Sequence, residues 1–293
     1  MVDILRHAAL ALLAAFLVSA LVLGLGRLAL GLITRDQRNR AFASDIQGEP
    51  GQHYRLRVEA LQELIALYGS AAMAWLATFA VSLVLAPAWP WGAGIGWVWF
   101  LLGLLLLIPP GFAFHRLWQL VRDRAALVFV RDANIAIGHA LQRTAIHGYR
   151  ALHNVARPGG IIDHILIGAN GVFVIQVVAR RLPRKRGDEA VVVHEGGMLR
   201  FGTEKVVRPL GAARASARWL AEVLEPVTGH PMVVRTVIAI PGWRIRAQNP
   251  EGHLVVNEKN LMMVTGWTQP DAYLMNEDVA RIQQQLSLWS KPI

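Results

Sequence analysis

The sequence predicts a membrane-anchored α/β protein, with three N-terminal transmembrane helices followed by a cytoplasmic domain of αβββαβ order. Three observations carry this. Uncharged apolar runs recur at residues 8–26, 65–86 and 94–114. Two apolar strands then meet across the tight turn Ala169-Asn170-Gly171. An amphipathic helix and one more strand, apolar enough to be buried, follow them.

The runs are 19, 22 and 21 residues long. A bilayer core of ~30 Å needs about twenty apolar residues per helix, so each is long enough to span. A signal peptide is the rival reading of the first run. That run is long for a signal sequence, continues past Arg27 into Leu28-Ala29-Leu30, and has no small-residue cleavage site, so it reads as a retained anchor. Gly24, Gly26 and Gly31 permit close helix packing and hence self-association.

Orientation follows from the arginines. The loop of residues 27–64 carries Arg27, Arg35, Arg38, Arg40, Arg55 and Arg57, and the link after the third run carries Arg116, Arg122, Arg124 and Arg131. The short 87–93 connection has no charge and holds Trp89 and Trp91, residues typical of a membrane–water boundary. Positive loops stay on the cytoplasmic side. The expectation is a multi-pass inner-membrane protein with its N-terminus outside and its large C-terminal part in the cytoplasm. The absence of cysteine agrees with a reducing compartment without requiring one.

From His115 onward, 179 residues suffice for one domain with its own core. They hold 23 Lys and Arg against 14 Asp and Glu, which is +9 of the chain's +10. That balance selects an anionic partner, nucleic acid or an anionic inner leaflet. The domain reading is a membrane region 1–114, a linker helix 115–130, a core domain 131–265 and a helical extension 266–293.

Within the core, a helix is expected from about Arg116 through Arg143, continuous with the third run and kinked at Pro109-Pro110. Strands follow at 150–156, 161–168 and 172–178. A hairpin at 190–194 and 198–201 turns at Glu195-Gly196-Gly197. The next helix, 209–224, sets Leu210, Ala213, Ala217, Leu220 and Leu224 on one face and ends at Pro226 and Gly229. An apolar strand at 233–240 reads as buried, a short one is expected at 253–256, and 276–289 reads as a terminal amphipathic helix.

The chemistry concentrates in the hairpin Gly160-Ile161-Ile162-Asp163-His164 through Gly171-Val172-Phe173-Val174-Ile175-Gln176-Val177-Val178. An acid in the first strand and polar residues emerging midway along the second resemble the core of PD-(D/E)XK nucleases, and most closely the nuclease-related domain family (NERD). The resemblance implies a restriction-endonuclease-like fold and a Mg²⁺-dependent site. Asp163 matches that family's first carboxylate, while Gln176 stands in the place of the second and Val178 in the place of the lysine. At two further positions of the family's site, Asn134 and Ala212 stand in for a glutamate and a glutamine. Such a site needs charged oxygens to hold the metal that activates water. A glutamine brings no negative charge and valine cannot stabilise an oxyanion. The expectation is a degenerate pseudonuclease, with Asp163 and Gln176 as remnants and no cofactor. A rearranged site that still holds Mg²⁺ is the alternative.

Arg180, Arg181, Arg184, Lys185 and Arg186 put five cations into seven residues just beyond that strand. Contact with nucleic-acid phosphate, contact with anionic lipid, and a solvated loop are the three readings. Asp163 itself is either a leftover ligand or a hydrogen-bond acceptor for nearby backbone. His139, His147, His153, His164 and His194 lack the paired spacing of a structural zinc site. Asp188-Glu189 reads as a solvated turn. The expected role is a membrane-anchored module that binds nucleic acid or joins a DNA-handling or transport complex. An active nuclease and a purely structural membrane subunit are the alternatives.

Overall fold

Residues 52–68 contain neither proline nor glycine, and they form the start of a helix that outlasts its charged stretch. In a computed structural model of the chain, which describes residues 48–85, 96–183, 191–195, 197–247 and 253–290, this is α1, Gln52–Leu85. The described residues divide into two units: 57–126, and 48–56 together with 127–290. The first apolar run and the 87–93 connection lie outside the described residues, as do Arg184, Lys185, Arg186, Asp188 and Glu189.

The first unit contains most of α1 and the beginning of α2, Gly96–Gln142. Among the described residues one stretch, Gln52–Ala77, is long and apolar enough to cross a membrane, where the sequence leads one to expect three spans. It begins earlier than residue 65 because no helix breaker separates Arg55, Arg57, Glu59 and Glu63 from the apolar run. Leu64, Leu67, Met73 and Leu76 are exposed along it. The expected third span and linker are one helix, and α2 continues through Pro109 and Pro110.

In the second unit the elements run β1 (Arg150–Arg157), β2 (Gly160–Gly168), β3 (Gly171–Val177), β4 (Val191–Glu195), β5 (Met198–Phe201), β6 (Glu204–Val206), α3 (Arg208–Thr228), β7 (Val234–Ala239), β8 (Arg244–Ala247), β9 (His253–Val256) and α4 (Asn276–Ser287). The central sheet has the order β1-β2-β3-β7-β9. Its first three strands are antiparallel; β7 and β9 add in parallel. The domain is mixed α/β, with β4, β5 and β6 lying between β3 and the helix α3 in chain order.

Both faces of the sheet are covered, which explains why β2 and β3 are apolar almost without alternation. On one face Ile137, Ala140 and Leu141 of α2 pack on Leu166, Phe173, Ile175 and Val237. On the other, Leu220 and Leu224 of α3 and Ile282 and Leu286 of α4 cover Ile165, Ile167, Val172 and Val174. Gly171 closes the β2–β3 turn at φ +116°, where a Cβ would lie 2.7 Å from the Ala272 carbonyl oxygen.

Strands β6, β5, β4 and β8 form a second sheet, in that order. Strands β6 and β8 go beyond the sequence reading, because three and four residues with alternating charge give too short a pattern to recognise. The helix α3 also runs through Pro226 instead of stopping there. That proline sits in the last turn, where the missing N–H removes a single helical bond, and Gly229 ends the helix with its N–H on the Glu225 carbonyl at 2.8 Å.

Candidate functional site

Antiparallel pairing of β2 and β3 sets His164 opposite Ile175, and so places Asp163 opposite Gln176. Asp163 is buried. Its Oδ2 accepts the Gln176 side-chain amide at 2.7 Å and the Val177 backbone N–H at 2.9 Å. Its Oδ1 faces the Tyr54 hydroxyl at 3.5 Å, the limit of hydrogen bonding. Burial pushes the Asp163 carboxyl up to about 6, against the lowering effect of the Val177 N–H and the Tyr54 hydroxyl. Gln176 therefore meets the carboxylate as a donor, through nitrogen.

Tyr54 is the residue that sequence reasoning missed. It comes from the first turn of α1, 109 residues before Asp163, and no local spacing links the two. The segment before it is strapped down at several points. The Asn154 side chain, on a residue at φ 56°, donates to the Glu49 carbonyl, and His53 Nδ1 lies 3.2 Å from Asn154 Oδ1. Pro50 packs against α2 at Gly138, where a Cβ would lie 2.2 Å from the proline ring. The Pro50-Gly51 pair just ahead of a helix start is the one sequence signal for this segment.

At the other positions of the nuclease pattern the hydrogen bonds run within their own element or to a neighbouring strand, although Asn134 lies against Gly51, three residues before Tyr54. Asn134 is buried, and its amide donates to the Val130 carbonyl of its own helix at 3.0 Å. Val178 packs on the core beneath the second sheet, and its N–H donates to Ala239 at 2.8 Å. The Ala212 carbonyl accepts the Ser216 hydroxyl at 3.0 Å within α3. Among the described residues no group of three or more His, Asp and Glu is placed to hold a metal ion.

The histidines form two buried pairs. His153 and His164 meet Nδ1 to Nδ1 at 2.7 Å, one ring edge-on to the other. Burial pushes His153 down to about 4 and His164 well below the usual range, with His153 adding to the latter. Only one of the two facing nitrogens can carry a hydrogen, and burial favours the neutral form of both rings. His194 and His253 lie with ring centroids 6.4 Å apart. His253 Nε2 accepts Arg214 Nε at 2.7 Å, and its Nδ1 meets the Thr236 hydroxyl. Burial first, then Arg214 and His194, push His253 down to about 4.

Of the basic run, Arg180 pairs with Glu204 and lies 4.5 Å from the centroid of the Phe201 ring. Arg181 stands 5.8 Å from the centre of the Phe129 ring. Both guanidinium groups thus have partners inside the fold.

The segment that holds this buried carboxylate is similar to a known family. Residues 131–241 match the family model of the nuclease-related domain, NERD. No curated protein and no solved structure matches the chain. The NERD segment starts in α2 and ends just after β7, and it contains Asn134, Asp163, Gln176 and Ala212. Tyr54 lies outside it, as do β8, β9 and α4.

Proposed function

We propose that the chain is a membrane-anchored, non-catalytic relative of NERD nucleases, whose restriction-endonuclease-like domain binds nucleic acid. The observation that carries this is the Gln176 amide donating to Asp163. Mg²⁺ demands several hard oxygen ligands in octahedral array. Here one carboxylate is taken up by N–H and O–H donors, the second acidic position is an amide turned nitrogen-first, and the lysine position is Val178, half-buried against the core. These residues do not fit a catalytic metal.

The +9 charge of residues 115–293 favours a polyanionic partner. Anchoring rests on the apolar stretch Gln52–Ala77 and on the uncharged runs at 8–26 and 94–114. Residues 48–56 pack into the same unit as the NERD segment, which supports the 27–64 loop and the C-terminal domain lying on one side of the membrane. With the arginine bias, that side is the cytoplasm and the N-terminus is outside. A role beside other subunits of a DNA-handling or transport complex, or as a self-associated assembly, extends the same reading.

The test is retention of labelled duplex and single-stranded probes by the full chain in detergent, with Mg²⁺ present. Salt-sensitive retention with intact strands is expected. No retention at low salt refutes the binding function.

A further inference from the structure

The second sheet carries a surface that the sequence reading did not reach. Strands β6, β5, β4 and β8 align Lys205 with Arg200, Arg200 with Val193, and Val193 with Arg246. Residues directly opposite one another project to the same face, so these four form one row across the sheet. Arg244 belongs to the next row, beside Val191. The alternate residues Val192, Leu199 and Phe201 are buried in the core, with Val206 and Ile245 packed against it. The burial of that face turns the basic row to the opposite side of the sheet, where Val193, between Arg200 and Arg246, is itself buried.

Lys205, Arg244 and Arg246 are exposed, and Arg200 is half-exposed. Among the described residues none of the four forms an ion pair. The nearby Glu204 is taken by Arg180. Arg200 and Lys205 are direct cross-strand neighbours, a like-charge arrangement that destabilises a sheet unless an anion lies over it.

We infer that the outer face of the second sheet is a docking surface for the phosphodiester backbone of nucleic acid, with Arg200, Lys205, Arg244 and Arg246 as its phosphate contacts. With strands 4.7–4.9 Å apart, the row from Lys205 to Arg246 covers about 14 Å. That length runs beside about four successive phosphates of one strand. The other residues that the register puts on this face, Val191, Val193, Glu195 and Met198, include no aromatic group on which a base would stack, and Glu195 is the one acidic position among them. Recognition is therefore of the backbone and independent of sequence. The face has no aromatic side chain among its described residues, and its apolar ones are half-buried (Val191, Met198) or buried (Val193), so it offers little with which to enter a bilayer, which favours nucleic acid over lipid. The inference rests on the proposed nucleic-acid binding and assigns it a surface separate from Arg184, Lys185 and Arg186.

The experiment measures binding of a labelled random-sequence duplex to the full chain in detergent across a salt series. The variants are Arg200→Gln, Lys205→Gln, Arg244→Gln and Arg246→Gln combined, and Arg184→Gln, Lys185→Gln and Arg186→Gln combined. Each phosphate contact contributes about −0.9 to the slope of log K against log salt. The fourfold variant is expected to flatten the slope by about 3 to 4 and to weaken unrelated sequences alike, while Arg→Lys changes at the three arginines keep it. Should the fourfold variant misfold, the exposed single changes Lys205→Gln and Arg246→Gln should each remove about one unit of slope. Native binding with an unchanged slope in the sheet variants overturns this surface and leaves the proposed function standing. Loss of affinity for anionic vesicles, with duplex binding unchanged, assigns the face to the membrane and also overturns it. Failure of the native chain to bind any duplex overturns the proposed function and this surface together.

Discussion

Gln176→Glu restores the acid of the nuclease pattern and turns a donor facing Asp163 into a second carboxylate. Near pH 7.5 the native Asp163, with its carboxyl pushed up to about 6, is ionised. Two carboxylates about 4 Å apart repel by about 4 kcal/mol at an effective dielectric near 20. Protonating one group of pKa about 6 at that pH costs about 2 kcal/mol, so the pair takes this cheaper route. The expected loss of stability is therefore about 2 kcal/mol near pH 7.5, fading toward pH 5.5, where one proton is already bound. For a unit of this size that is a fall in Tm of about 4–8 °C at the higher pH. Thermal unfolding of the full chain in detergent at both pH values measures it. Millimolar Mg²⁺ should narrow the gap in the variant and leave the native Tm unmoved. Equal Tm values for variant and native chain at both pH values would refute the reasoning, since Gln176 would then have no bearing on the charge of Asp163.

Gly138→Ala should drive a methyl group into Pro50, lower stability by about 1–3 kcal/mol, and speed hydrogen exchange in residues 48–56; unchanged exchange there would contradict the strap described for that segment. Acid should destabilise the domain. His153, pushed down to about 4 from 6.5, is neutral in the fold, so the unfolded chain binds the extra proton as pH falls from about 6.5 toward 4. This one group costs up to about 3 kcal/mol. His253 acts in the same direction, and the raised Asp163 opposes them by favouring the fold below about pH 6. Unfolding temperatures measured from pH 7.5 down to 4.5 should fall; a rise would contradict the buried neutral histidines. A reporter placed after Ile293 should read cytoplasmic, and one in the 87–93 connection external, with the reverse pattern overturning the orientation.

The central sheet was legible because its strands are long and bounded by strong turn signals. Asn170-Gly171 marks the hairpin, and the run 233–240, apolar except for Arg235 and Thr236, reads as a buried strand. The helix α3 was legible from its single apolar face, which is the buried one. The second sheet was half legible. The Arg-Ile-Arg-Ala strand β8 reads as a charged loop until its pairing with β4 is known. At the site, Asp163 and Gln176 were found by their place in the hairpin, but the nitrogen-first contact between them is a matter of geometry that spacing does not express. Tyr54 was beyond reach for a different reason. Its partnership with Asp163 joins the first turn of α1 to a strand in another region of the chain, and only packing reveals such a contact.

The most direct test incubates the purified full chain with duplex DNA, single-stranded DNA and RNA in Mg²⁺ or Mn²⁺, beside an Asp163→Ala variant, and follows strand cleavage. A glutamine donating to a buried lone carboxylate should leave every substrate intact, with native chain and variant indistinguishable. Metal-dependent cleavage by the native chain that disappears in Asp163→Ala would contradict it, because Asp163 would then be a working ligand in a live nuclease site.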